Sequence, residues 1–154
     1  MLCPICAWSA DEQDYRFIYE TCLWRVVLAP NQSLLGRCIV QLKRHEGDLA
    51  KQTEAELREW LMIVVQLEAA LRSAFGPTMF NWSCYMNHSY REKPYEPHIH
   101  WWAVARYEQP VSFGGQLFYD PTFGEPYEHG RDGTVSEELR EAIVTRLKGA
   151  INNL

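Results

Sequence analysis

Two histidines one residue apart, His98 and His100, lie in the run Glu96-Pro97-His98-Ile99-His100-Trp101-Trp102-Ala103-Val104-Ala105-Arg106-Tyr107. Its β-branched and aromatic residues favour a strand. Side chains alternate along a strand, which predicts His98, His100 and Trp102 on one face and Ile99, Trp101 and Ala103 on the other. Neutral imidazole both binds metals and attacks phosphorus near pH 7, so the pair suits metal ligation or nucleophilic phosphoryl chemistry. A strand-borne His-x-His oxygenase site would want a carboxylate ligand a few residues further on. Val104 and Ala105 stand there, and the first acid is Glu108. Near the N-terminus, Cys3-Pro4-Ile5-Cys6 has the spacing with which two thiolates share one tetrahedral zinc. The same spacing fits a redox pair or two idle thiols.

The elements that must position these groups can be read from periodicity and punctuation. Residues 16–20 and 23–28 read as short strands, a meander into a strand at 37–42. Thr53 is a good N-cap, and Glu56 completes a capping-box pattern. The helix that follows should run to about Phe75, with Leu57, Leu61, Val64 and Leu71 on one face, and Gly76-Pro77 should end it. Residues 78–86 and 98–106 read as two longer strands joined by the polar segment Asn87 to Pro97. Gly- and Pro-rich irregular chain to Gly133 precedes a closing helix at 135–151, capped by Thr134 or Ser136. These elements predict an α+β fold, an antiparallel sheet covered by one main helix, with a C-terminal helix.

Composition narrows the class. The 154 residues, without internal repeat or linker, suit one domain spanning 1–154. Twenty acidic against fifteen basic residues give a net charge of −5, with no basic stripe for double-stranded nucleic acid. The longest apolar run, Trp60 to Val65, is too short to span a bilayer. An odd set of five cysteines and the lack of a secretory leader pattern point to a cytoplasmic protein with reduced or metal-bound thiols.

The histidine segment resembles the signature of the histidine-triad family of nucleotide hydrolases and transferases, His-x-His-x-His followed by hydrophobic residues. Here Trp102 takes the third position. Leu35-Gly36-Arg37 through Lys43-Arg44-His45 is similar to the family's Pro-Gly-His strand and the Lys-Arg-His turn that ends it. Phe113-Gly114-Gly115 and Phe123-Gly124 look like the tail of bacterial members. The resemblance covers about residues 3 to 127. It implies an antiparallel sheet with a helix laid over it, commonly paired into a homodimer through a continuous sheet.

The same resemblance implies roles for particular residues. His100 would be the nucleophile that forms a covalent nucleotidyl-histidine from a dinucleoside polyphosphate or related nucleotidyl conjugate. His98 would support it and, with Cys3, Cys6 and His45, bind structural zinc. Asn87 matches an amide that contacts phosphates, although a turn-forming Asn is equally in keeping with its surroundings. Arg106 matches an arginine that either neutralises a phosphate or forms a surface ion pair. His88 and His129 read as plain loop histidines. Indole donates through one N–H but cannot shuttle a proton near pH 7, so Trp102 would contact substrate without acid catalysis. The resemblance then implies an enzyme restricted to good leaving groups, or a nucleotide-binding or interaction module on the same fold.

Overall fold

The computed structural model describes residues 3–9, 16–127 and 130–154. A short helix α1 (Pro4–Ser9) precedes strands β1 (Phe17–Glu20), β2 (Trp24–Leu28) and β3 (Cys38–Leu42). Helix α2 (Glu54–Phe75) follows, then β4 (Met79–Ser83), a 3-10 turn (Asn87–Tyr90), and β5 (His100–Arg106). A hairpin, β6 (Val111–Phe113) and β7 (Gln116–Phe118), leads to the closing helix α3 (Glu137–Asn152). The main sheet has the order β1-β2-β3-β5-β4, with every neighbouring pair antiparallel. The predicted α+β architecture is the observed one. No helix among the described residues is long and apolar enough to cross a membrane.

The capping signals around α2 act as read. The Thr53 side chain accepts from the Glu56 N–H while the Glu56 carboxylate accepts from the Thr53 N–H, and Gly76 closes the helix at φ 67°. The buried stripe, however, is Ile63, Leu67, Ala70, Leu71 and Phe75, whereas Leu57 and Leu61 are 47% and 58% exposed. Residues 60–65 are apolar all round, so spacing alone does not select a face. Tertiary contacts choose it: Glu56 is tied to Arg44, and the Trp60 ring packs 4.6 Å from Trp101.

Buried α2 and α3 side chains, among them Ile63, Leu67, Ile143 and Leu147, pack with Trp24, Val26, Leu28, Val40, Ala103 and Ala105 from one face of the sheet. The opposite face carries Val27, Ala29 and Ile39, with Trp102 packed against them. This division fixes which residues of β5 can line a site. Ile99, Trp101 and Ala103 turn into the helix-covered core, as the alternation predicts.

Two strand boundaries and one loop differ from expectation. The β4 ladder stops at Ser83, and β5 begins at His100. Beyond His100 the pairing with β3 gives way to the turn that follows it: the Ile99 carbonyl still accepts from Leu42, the last residue of β3, but the Ile99 N–H donates to the Glu46 carbonyl in the turn. The segment expected to be irregular contains the β6–β7 hairpin, turned by Gly114 and Gly115 at φ 57° and 78°. Its strands are too short for periodicity to register, although two adjacent glycines with positive φ suit a two-residue hairpin turn.

Candidate active site

His100 and Trp102 stand on the open face of the sheet, their rings 6.0 Å apart, and line a cavity of about 560 Å³. The antiparallel register sets His100 opposite Gln41 and Trp102 opposite Ile39. His100 Nδ1 lies 2.8 Å from the carbonyl oxygen of His98, two residues back on the same chain. An acceptor there requires Nδ1–H, which leaves the Nε2 lone pair free. Burial lowers the His100 pKa from the ordinary histidine value, the carbonyl of His98 opposes that shift, and His88 adds to it. The result is a neutral imidazole with a defined tautomer, the form a nucleophile needs.

His98, expected to share a face with His100 and Trp102, precedes β5, is 1% exposed and is not among the described residues that line the cavity. Its Nε2 donates to the Leu42 carbonyl at 2.7 Å, so Nδ1 carries the lone pair. That atom sits 3.4 Å from the sulfurs of both Cys3 and Cys6, and His45 Nδ1 sits 3.4 Å from Cys6 Sγ. The four donor atoms lie within 4.8 Å of one another. Zn–S and Zn–N bonds of about 2.3 and 2.0 Å in a tetrahedron require an S···N edge of about 3.5 Å, so the set fits zinc. The outer contacts fit as well, since His45 Nε2 faces Glu96 at 3.4 Å and His98 Nε2 is held by a main-chain carbonyl. Burial, with Cys3 and Glu96 nearby, pushes the Cys6 thiol up to about 11. The donor set has no positive charge of its own, and thiolates form there readily only around a cation.

Asn87 opens the 3-10 turn after β4 and lines the His100 cavity, as do His88 and Arg91. Arg106 does not line this cavity. Its side chain is 2% exposed, paired with Asp120 and donating to Asn81 Oδ1 and to the carbonyls of Thr122 and Glu125. A surface ion pair and a phosphate contact were the two expectations for Arg106. The structure replaces the first with a buried pair, whose hydrogen bonds also occupy the group the second would need. His129 lies outside the described residues.

Sequence reasoning passed over Arg37. It is 5% exposed and lines the cavity beside His100, with its guanidinium 4.3 Å from the Trp102 ring centroid and 5.6 Å from that of Tyr127. Its Nε has no hydrogen-bond partner among the described residues, and burial lowers its pKa. An unsatisfied buried donor costs about 1–3 kcal/mol, more when charged, while a cation–π contact returns only about 0.5–2 kcal/mol. The available signal was alternation: Arg37, Ile39 and Gln41 share the face that pairs with His100 and Trp102.

No protein-family model matches the sequence, and no curated protein matches it significantly. Solved structures do. The chain is similar to a hypothetical histidine triad nucleotide-binding protein from Sulfolobus tokodaii strain7, with 18% identity over 99% of this chain and 93% of that one, at a TM-score of 0.72. It is also similar to a Zn-bound histidine triad family protein from Mycobacterium smegmatis, with 20% identity over 98% and 94% of the two chains and a TM-score of 0.65. A uridylyltransferase mutant matches at 16% identity and a TM-score of 0.69, over 98% of this chain but 47% of that one. The fold is therefore that of histidine-triad proteins.

Proposed function

We propose that the chain is a nucleotide hydrolase or nucleotidyl transferase that works through a covalent nucleotidyl-histidine on His100. The observation that carries this reading is the cavity beside His100. In a chain of net charge −5, its described lining includes Arg37, Arg91, His88 and His100 and no carboxylate. Such a concave, locally positive surface attracts phosphates. Dinucleoside polyphosphates or related nucleotidyl conjugates are the substrate class, with Asn87 and main-chain N–H groups donating to the non-bridging oxygens.

His98 supports the nucleophile through its carbonyl, while its ring belongs to a structural zinc centre with Cys3, Cys6 and His45. Zinc would supply a rigid tether between the N-terminal segment and the sheet. The test is incubation with an α-labelled dinucleoside polyphosphate, followed by a denaturing quench at alkaline pH. Label retained on the protein and released by acid is expected. Bound nucleotide without an adduct, whatever the leaving group, would make a binding module on this fold the better description.

The chain pairs into a homodimer in this proposal. Support comes from the solvent-facing apolar stripe of α2, where Met62 and Val65 are 68% and 67% exposed beside Leu57 and Leu61, and from the free edge of β4. Light scattering at micromolar concentration should give twice the 18.0 kDa chain mass, and a monomeric mass would remove the dimer.

A further inference from the structure

Arg106 and Arg37 show two ways of burying an arginine. The first is satisfied by Asp120 and by three further acceptors, as a structural guanidinium should be. The second is nearly as deep but, among the described residues, has the faces of Trp102 and Tyr127 against it and no hydrogen-bond partner for its Nε. Its backbone is pinned, since the Arg37 carbonyl accepts from the Ala29 N–H and from Gln32 Nε2. A flat cation held on an aromatic platform at a cavity wall is preorganised for an anion that the described residues do not supply.

We infer that Arg37, seated on Trp102, is the anion-binding group of the cavity and receives the phosphate of the leaving group. This rests on the nucleotidyl-histidine reading and names the substrate class more narrowly: phosphoanhydrides whose leaving group is itself a phosphate or phosphate monoester. Trp102 occupies the third motif position and offers no titratable proton, so the leaving oxygen must depart with its charge compensated in another way. His100 Nε2 bonds to the α-phosphorus, and the α-phosphorus–bridging-oxygen bond breaks. The electron pair leaves on that oxygen as a phosphate anion against the Arg37 guanidinium, and no proton is needed. Water then attacks the same phosphorus, the P–N bond returns its pair to His100, and the water's proton passes to solvent. An amine leaving group would require a proton at the first step and gains nothing from Arg37.

The test compares wild type with R37M and R37Q in two measurements. In the first, inorganic pyrophosphate is titrated calorimetrically, and each variant should bind at least about tenfold more weakly. In the second, single-turnover adduct formation is followed with a dinucleoside polyphosphate and with a nucleoside phosphoramidate. The variants should lose about 10²-fold on the anhydride and stay within about threefold of wild type on the phosphoramidate. Circular dichroism selects the variants that fold, and R37Q, with its polar terminus, decides if R37M does not. Equal losses on both substrates, or unchanged pyrophosphate affinity, would overturn the assignment. Absence of any wild-type adduct would sink the nucleotidyl-histidine reading instead, and the pyrophosphate titration would still decide whether Arg37 binds anions.

Discussion

His100→Ala should abolish the covalent adduct and lower turnover of a dinucleoside polyphosphate by at least about 10⁴-fold, the scale on which removal of an activated nucleophile is felt. Nucleotide affinity should change little. The ground-state contacts in this reading come from Arg37, Asn87 and the main chain, whereas the imidazole contributes chiefly as the N–P bond forms. The expectation rests on how the strand prepares the ring. The carbonyl of His98 lies 2.8 Å from Nδ1, selects the tautomer and leaves Nε2 facing the cavity without a competing partner among the described residues. Rapid-quench adduct formation and equilibrium nucleotide binding on the same preparation separate the two effects. Hydrolysis retained by His100→Ala would show that the nucleophile is another group, and a parallel loss of binding would make His100 a ligand contact instead.

Much of this arrangement was legible before any coordinates. The alternation around His98 and His100 separates the core-facing Ile99, Trp101 and Ala103 from the cavity-facing His100 and Trp102, because a period of two leaves little choice once one face is covered by helices. The capping box at Thr53 is a local hydrogen-bond pattern and can be read locally. Three features depended on distant partners and were not legible. Helix α2 offered two apolar stripes, and the choice between them was made by Arg44, Trp82 and Trp101, none of them on the helix. Arg106 was read from its place after the histidines, yet its partner Asp120 stands fourteen residues on, in chain without periodicity. Arg37 stands in the segment similar to the Pro-Gly-His strand, where spacing gives it no role of its own. Its importance lies in what it lacks among the described residues, an acceptor for Nε, which emerges only when its surroundings are assembled.

If the Cys3, Cys6, His45 and His98 cluster holds the proposed zinc, its removal should be felt mainly as lost stability. A ligand present a thousandfold above its Kd stabilises the folded state by about 4 kcal/mol. At roughly 2–4 °C per kcal/mol for a chain of this size, chelation or Cys6→Ser should lower Tm by about 8–16 °C. Cys6 is the informative position because its sulfur faces both His45 and His98 at 3.4 Å, so its loss opens the centre of the donor set. The four candidate ligands come from the residue just before α1, from α1 itself, from the turn after β3 and from the residue two before the proposed nucleophile. A metal held there would tie the N-terminal segment to the residues just before β5 and fix the ring of His98, the residue whose main-chain carbonyl lies 2.8 Å from His100 Nδ1. Adduct formation should accordingly fall in Cys6→Ser by about 10–100-fold, the usual scale for disturbing the support of a site, and much less than in His100→Ala. Metal analysis of freshly purified, tag-free protein should give one zinc per chain. If no zinc is found, and neither chelator nor added zinc moves Tm, the four residues are not a metal centre.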